Sequence, residues 1–242
     1  ANGLLLVPTD TTRNLSFHVA VGADRARATL APPSLDGVEP CLPEVVNVVV
    51  SLTDGDNLNV PLNHFFRPEN WPTARRGDLP LGWSITPGLA TFAPGMWDVY
   101  VEQATPADEL VAIIGTAYAA PALLPDARSF YRQSFDAMAA LGLSTFWSLG
   151  GALDTATSVY WSTVDEEARP GVPGGILVSY GNGVGEAYHS PGGIPAFTSR
   201  SVYADQPGDL EGHVRHAMAS DPGDRPLVLF LSVANWRNSA AD

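Results

Sequence analysis

VVVSLTDGDN, residues 48–57, is an apolar run that ends in two carboxylates flanking a glycine, with an asparagine behind them. Unbroken apolar residues, rather than an alternating pattern, mark a parallel strand covered on both faces. Similar runs recur along the chain, so that strands are expected at 3–7, 45–52, 81–85, 110–114, 143–148, 175–180, 201–203 and 226–233. Helices fall between them. Residues 126–141 carry Phe130, Phe135, Met138 and Leu141 on one face, and Gly142 follows as a stop signal. Residues 209–219 open acidic and close with His, Arg and His, in agreement with the helix dipole. Residues 87–92 read as a short helix capped by Thr86, with Pro87 in its first turn.

About eight strands alternating with helices predict a closed, irregular (β/α) barrel of the TIM type; an open parallel α/β sheet is the alternative. The proline-rich segment 30–43 reads as an internal crossover, so residues 1–242 are expected to form a single barrel-like domain. The start at Ala1 rather than Met, and the stop soon after PLVLFLSV, read as trimming at one or both ends. In either architecture the ligand site lies just past the carboxyl ends of the strands. That places Asp10, Asp54, Asp56, Ser84, the 115–121 loop, Asp154, the loop after Tyr180, Asp205 and Asn235 under inspection.

Composition removes several function classes. The 242 residues are 45% apolar and 16% charged, enough for a sizeable core. The formal net charge is −13, and the 13 basic residues are all arginine. Beyond Arg75-Arg76 no basic cluster is available to track a phosphate backbone, so no nucleic-acid partner is expected. Without lysine there is no Schiff-base or Walker A chemistry. The single cysteine, Cys41, forbids an intrachain disulfide and a CxxC metal site. No run approaches the roughly 20 apolar residues of a membrane span.

TDGDN is the sharpest chemical signal. Residues two apart in a strand end point the same way with α-carbons roughly 6–7 Å apart. That overlaps the carboxylate spacings of glycoside hydrolysis, roughly 5–5.5 Å for retention and 6.5–9.5 Å for inversion. Two close carboxylates raise one pKa, as a general acid requires. The same pair offers oxygen ligands to a divalent cation, although Leu58 sits where a calcium loop needs a third ligand. A plain Asp-Gly turn is the structural alternative. MWDVYVEQ, residues 96–103, alternates Trp97, Val99 and Val101 against Asp98, Tyr100 and Glu102, which predicts a half-exposed strand and makes Glu102 a second candidate acid. Trp83, Trp97, Trp147, Trp161 and Tyr180 are aromatic faces on which a pyranose could stack. HVRH, 213–216, reads as surface histidines on a helix; no HExxH, GxSxG or GxGxxG pattern occurs.

In their order along the chain these segments resemble one family, the glycoside hydrolases named for a GxGYxYxP motif, in its C-terminal domain. The resemblance is carried by Asn14-Leu15-Ser16, Ser51 through Asn57, Pro80-Leu81-Gly82-Trp83-Ser84 and Pro87, then Ala104-Thr105-Pro106 with Asp108, and finally Gly115, Ala117, Tyr118 and Pro121. It covers about residues 1–180. The signature reads GTAYAAP here: the first tyrosine and the proline are kept, while a glycine and the second tyrosine are replaced.

The resemblance implies a carbohydrate-active domain that hydrolyses or binds a glycan, placed outside the cell or on its surface. Asp54 and Asp56 are then the acidic pair and Glu102 the reserve acid. Asn57 orients a hydroxyl or carboxylate, and Trp83, Ser84 and Tyr118 bind substrate. No cofactor is expected. Two alternatives stay open: a metal-assisted hydrolase like the polysaccharide deacetylases, with a divalent ion at Asp54 and Asp56, and a non-catalytic glycan-binding or structural module of a larger assembly with partner domains or subunits.

Overall fold

The computed structural model describes residues 8–22, 24, 27–31, 45–116, 118–149, 153, 155, 157–179, 187–204, 211–212, 214–216, 219 and 227–234. Its strands are β1 (Val46–Leu52), β2 (Leu81–Ile85), β3 (Asp108–Ile113), β4 (Thr145–Leu149), β5 (Gly175–Ser179), β6 (Ala187–His189), β7 (Pro195–Ala204) and β8 (Leu227–Val233). Between them lie the helices α1 (Leu15–Ala20), α2 (Leu89–Phe92), α3 (Pro94–Gln103), α4 (Ala127–Leu141) and α5 (Trp161–Glu167).

The sheet order is β5-β4-β3-β2-β1-β8-β7-β6, and a further pairing joins β5 to β7. Seven parallel strands therefore close into a barrel of the TIM-like kind, with short β6 antiparallel on β7. Closure removes the open-sheet alternative. The expected strands at 45–52, 81–85, 110–114, 143–148, 175–180 and 226–233 each coincide with an observed one within two residues at either end among the described positions. The 201–203 expectation is the tail of the longer β7. The expected strand at 3–7 lies outside the described residues, while within the expected helix at 209–219 the described residues 211, 212, 214–216 and 219 are helical.

Both faces of the strands are covered over most of their length, which explains their unbroken apolar runs, although Val48 and Val49 near the start of β1 are exposed. Val111, Ile113, Trp147, Leu177 and Phe230 fill the barrel interior. Trp147 meets Phe230 edge-on at 5.0 Å, and its indole N–H donates to Ser179 Oγ at 2.9 Å. The alternate residues, Leu52, Trp83, Ile85, Leu110, Phe146 and Ile176 among them, face outward into a second core shared with the helices. On α4, Phe130, Tyr131, Phe135, Met138 and Leu141 pack into it. That helix starts where Asp126 accepts the Ser129 N–H at 3.0 Å and stops at Gly142, in the left-handed region with φ 76°.

One expected element is different. Residues 96–103 belong to α3, not to a strand. Pro94 occupies the first turn, where its absent N–H costs nothing. Trp97 and Tyr100, three residues apart, are fully buried on the same face. The Trp97 indole donates to Ala28 O at 2.7 Å and the Tyr100 hydroxyl to Pro61 O at 2.6 Å. The short alternation of large and charged residues mimicked a strand and masked the helical spacing of three that puts Trp97 and Tyr100 on one buried face.

Candidate active site

TDGDN sits where β1 ends at the carboxyl mouth of the barrel. Thr53 N–H still bonds Val233 O at 2.9 Å, so the loop leaves the sheet at Asp54. Asp54 turns the chain with φ 71°, a left-handed conformation uncommon outside glycine. Gly55 then passes against β2. A Cβ there would stand 1.6 Å from Ser84 O, so no other residue fits without moving backbone. Gly55 N–H donates to Ser84 Oγ at 2.9 Å and Gly55 O accepts from Thr86 N at 3.0 Å. The turn is thus stitched to the end of β2 on both sides of the glycine.

This stitching fixes the carboxylates. Asp54 Oδ2 is buried and has no hydrogen-bond partner among the described residues. Burial first, then the neighbouring Asp56 and Asp10 charges, push the Asp54 pKa up to about 7. Burial also raises Asp56, although the backbone N–H groups of Asp56 and Asn57 pull it the other way. A carboxylic acid poised near neutrality is matched to proton transfer at physiological pH.

Asn57 clamps a third carboxylate to the turn. Its Nδ2 donates to Asp10 Oδ2 at 2.7 Å, and its Oδ1 accepts from Asp10 N at 3.3 Å and Asn59 N at 3.1 Å. Leu58 N–H bonds Pro8 O at 2.9 Å, so the segment carrying Asp10 is laid across the turn. His64 stands beyond it, its pKa lowered mainly by burial and then by Arg67, with Asp10 acting the other way. The pairing of Asp10 with Asn57 spans 47 residues, and neither local spacing nor a motif announces it. His64 had no sequence signal at all.

The mouth at β3 is also shaped by unusual backbone. Ile114 and Gly115 are both left-handed, with φ 58° and 62°. For a β-branched residue this is a true outlier, a form of strain that concentrates at functional sites. A Cβ on Gly115 would lie 2.1 Å from Ser134 Oγ, which accepts the Thr116 N–H at 3.3 Å. Tyr118 follows on this loop and is 50% exposed.

The expected site residues therefore divide. Asp54, Asp56, Asn57 and Ser84 come together at one turn, and Tyr118 projects from a neighbouring strand end. Ser84 itself is fully buried and committed to Gly55. Trp83 is elsewhere: it is fully buried against Phe65 and Trp71, and its indole N–H donates at 2.8 Å to Asp108, the first residue of β3. The structure thus gives it no face toward the carboxyl mouth. Glu102 is exposed at the end of α3, on the side where β3 begins, so it does not converge with the pair. Trp97, Trp147 and Trp161 are all buried. Asp154, Tyr180, Asp205, His213 and Asn235 lie outside the described residues. Among those described, no group of three or more His, Cys, Asp or Glu side chains is arranged to hold a metal ion, and no helix is long and apolar enough to cross a membrane.

Comparison with known proteins agrees with this architecture. The chain superposes on a crystal structure described as a putative hydrolase from Bacteroides thetaiotaomicron VPI-5482, with a TM-score of 0.78 and 21% identity. The match covers 98% of this chain and 47% of the other, so the chain spans about half of that protein's length, and the likeness is one of fold. No curated protein shows significant similarity. A family model described as "GxGYxYP putative glycoside hydrolase C-terminal domain" matches residues 44–242. The match runs to the end of the chain, further than the resemblance read over 1–180, and it leaves Asn14-Leu15-Ser16 outside. Against that signature, Gly115, Tyr118 and Pro121 fall in register, while Ala117 and Ala120 replace the second glycine and the second tyrosine. The chain belongs to the family of the GxGYxYP putative glycoside hydrolase C-terminal domain.

Proposed function

We propose that this domain cleaves glycosidic bonds in a carbohydrate at the carboxyl mouth of the barrel, with Asp54 as general acid and Asp56 as the partner carboxylate. The observation that carries the reading is the unpaired, buried Asp54 Oδ2 on a carboxyl group held near pKa 7 beside a second carboxylate. Glycoside hydrolysis needs such a division: one carboxyl protonated to assist the leaving oxygen, one ionised to act on the opposite face or on water. Asn57 and Gly55 keep the two groups in place, and Tyr118 offers an exposed ring on which a sugar face can rest.

The test is hydrolysis of a panel of plant, microbial and host glycans by the wild-type chain and by Asp54→Asn and Asp56→Asn. Loss of a general acid or its partner costs on the order of 10²–10⁴-fold in turnover. Unchanged turnover in both variants would remove the pair from the reaction.

One observation favours a second reading, a glycan-binding module without turnover: Ala120 stands where the signature has its second tyrosine. That reading predicts saturable glycan binding, no product, and indifference to Asp54→Asn.

A further inference from the structure

The amino-terminal mouth of the barrel, opposite TDGDN, holds a cavity of about 360 Å³ that the strand-end carboxylates do not reach. Its walls come from the starts of β2, β3, β4 and β5 and from β1 and β7, with Val49, Leu81, Val111, Leu177 and Phe197 supplying apolar surface. Two carboxylates line it, Asp108 and Glu109. Asp108 is fully committed. Its Oδ1 accepts from the Trp83 indole, its Oδ2 accepts from Thr105 N at 2.9 Å and Thr105 Oγ1 at 2.8 Å, and Arg76 Nε stands 3.8 Å away.

Glu109 is different. Thr145 Oγ1 donates to Glu109 Oε1 at 2.9 Å and Ser144 Oγ to the same oxygen at 3.3 Å. Both donors converge on one oxygen, which fixes the carboxyl group and leaves Oε2 without a protein partner among the described residues. Burial holds the Glu109 pKa above its ordinary value, the two hydroxyls opposing it. Among the described residues no arginine lines the cavity. Gly175, which pairs with Thr145, keeps space open beside the carboxyl, whereas Gly82, the partner of Glu109, is closed against Ser51, whose Oγ would stand 2.6 Å from a Cβ there.

We propose that this mouth is a second binding site, specific for a compact organic cation whose apolar body fills the cavity and whose ammonium group donates to Glu109 Oε2. The volume lies within the range of roughly 300–1,000 Å³ typical of small-molecule pockets. An oriented acceptor that no described arginine reaches, Arg76 being engaged with Asp108, calls for a charged donor, which gives a charge-assisted bond where solvent is reduced. A hard metal ion needs roughly six or more oxygens and finds one free carboxylate oxygen here. A sugar would leave its hydroxyls against apolar walls without partners. The site stands independently of the strand-end chemistry.

Calorimetric titration of the full chain with benzylammonium chloride, and with benzyl alcohol as the neutral probe of similar shape, tests it. Saturable one-to-one binding of the cation is expected, weakened about tenfold or more for the alcohol and in Glu109→Gln, where the charge is lost while Oε1 can still accept. Gly175→Val is expected to weaken binding about tenfold or more by occupying the space beside Glu109. A Cβ at Gly175 meets only Pro195, at 3.9 Å, so the fold accommodates it. Asp54→Asn, at the other mouth, is expected to bind as wild type does. No saturable binding of benzylammonium, equal affinity for the alcohol, or unchanged binding in both Glu109→Gln and Gly175→Val would overturn the proposal.

Discussion

At Asp54 three costs meet in one residue: a left-handed backbone, a buried carboxyl oxygen without a partner, and two neighbouring carboxylates. Among the described residues no arginine relieves them. Such an arrangement lowers stability, and the sign follows from proton linkage. The carboxyl titrates near 3.8 in an ordinary setting and near 7 when folded, so the native state holds the extra proton between those values. Rising pH therefore removes stability from about 4 up to about 7, and the penalty is constant above. Asn carries no charge and tolerates the left-handed region better than most residues. Asp54→Asn is thus expected to be neutral at pH 4 and to stabilise by about 1–2 kcal/mol at pH 8, a value discounted for the partial exposure of the group. Urea unfolding at the two pH values measures it. A loss of stability at pH 8 would mean that the charge is satisfied by something other than water and its own backbone.

Among the elements, the strands were legible because a parallel barrel buries both faces and leaves unbroken apolar runs, as in ELVAI of β3. Helix α4 was legible because its cap, its apolar face and its terminal glycine all agree. Helix α3 was not, because over eight residues an alternation of large and charged side chains satisfies a strand period as well as a helical one. The two readings separate at Tyr100. A half-exposed strand puts it on the wet face, whereas α3 buries it completely with its hydroxyl on Pro61 O. Tyr100→Ala is accordingly expected to cost about 3–5 kcal/mol, like other large buried aromatics. Glu102→Ala, two residues on and exposed, should stay within about 0.5 kcal/mol. Chemical denaturation of both variants distinguishes them, and near-equal effects would contradict the helix. At the site, TDGDN was readable from its charges, but the Asp10 clamp was not. That contact depends on where a segment 47 residues away is laid down.

For the whole molecule, barrel closure brings the ends of β1 and β3 to one mouth and leaves a separate cavity at the other. The net charge of −13 acts on this compact shape as self-repulsion. Raising NaCl from about 20 mM to about 300 mM shortens the Debye length from roughly 20 Å to under 10 Å, so the melting temperature is expected to rise. A flat or falling melting temperature would show that the acidic groups are balanced locally. The chain belongs to the GxGYxYP putative glycoside hydrolase family, and with Ala117 and Ala120 in its signature the proposed hydrolysis rests on the TDGDN turn. That chemistry rests on Asp54 being protonated near neutrality, which can be measured without knowing the sugar. Carboxyl ¹³C NMR titration, with the Asp54 signal assigned by its disappearance in Asp54→Asn, is predicted to show a midpoint near 7. A midpoint in the ordinary range near 3.8 would contradict the account.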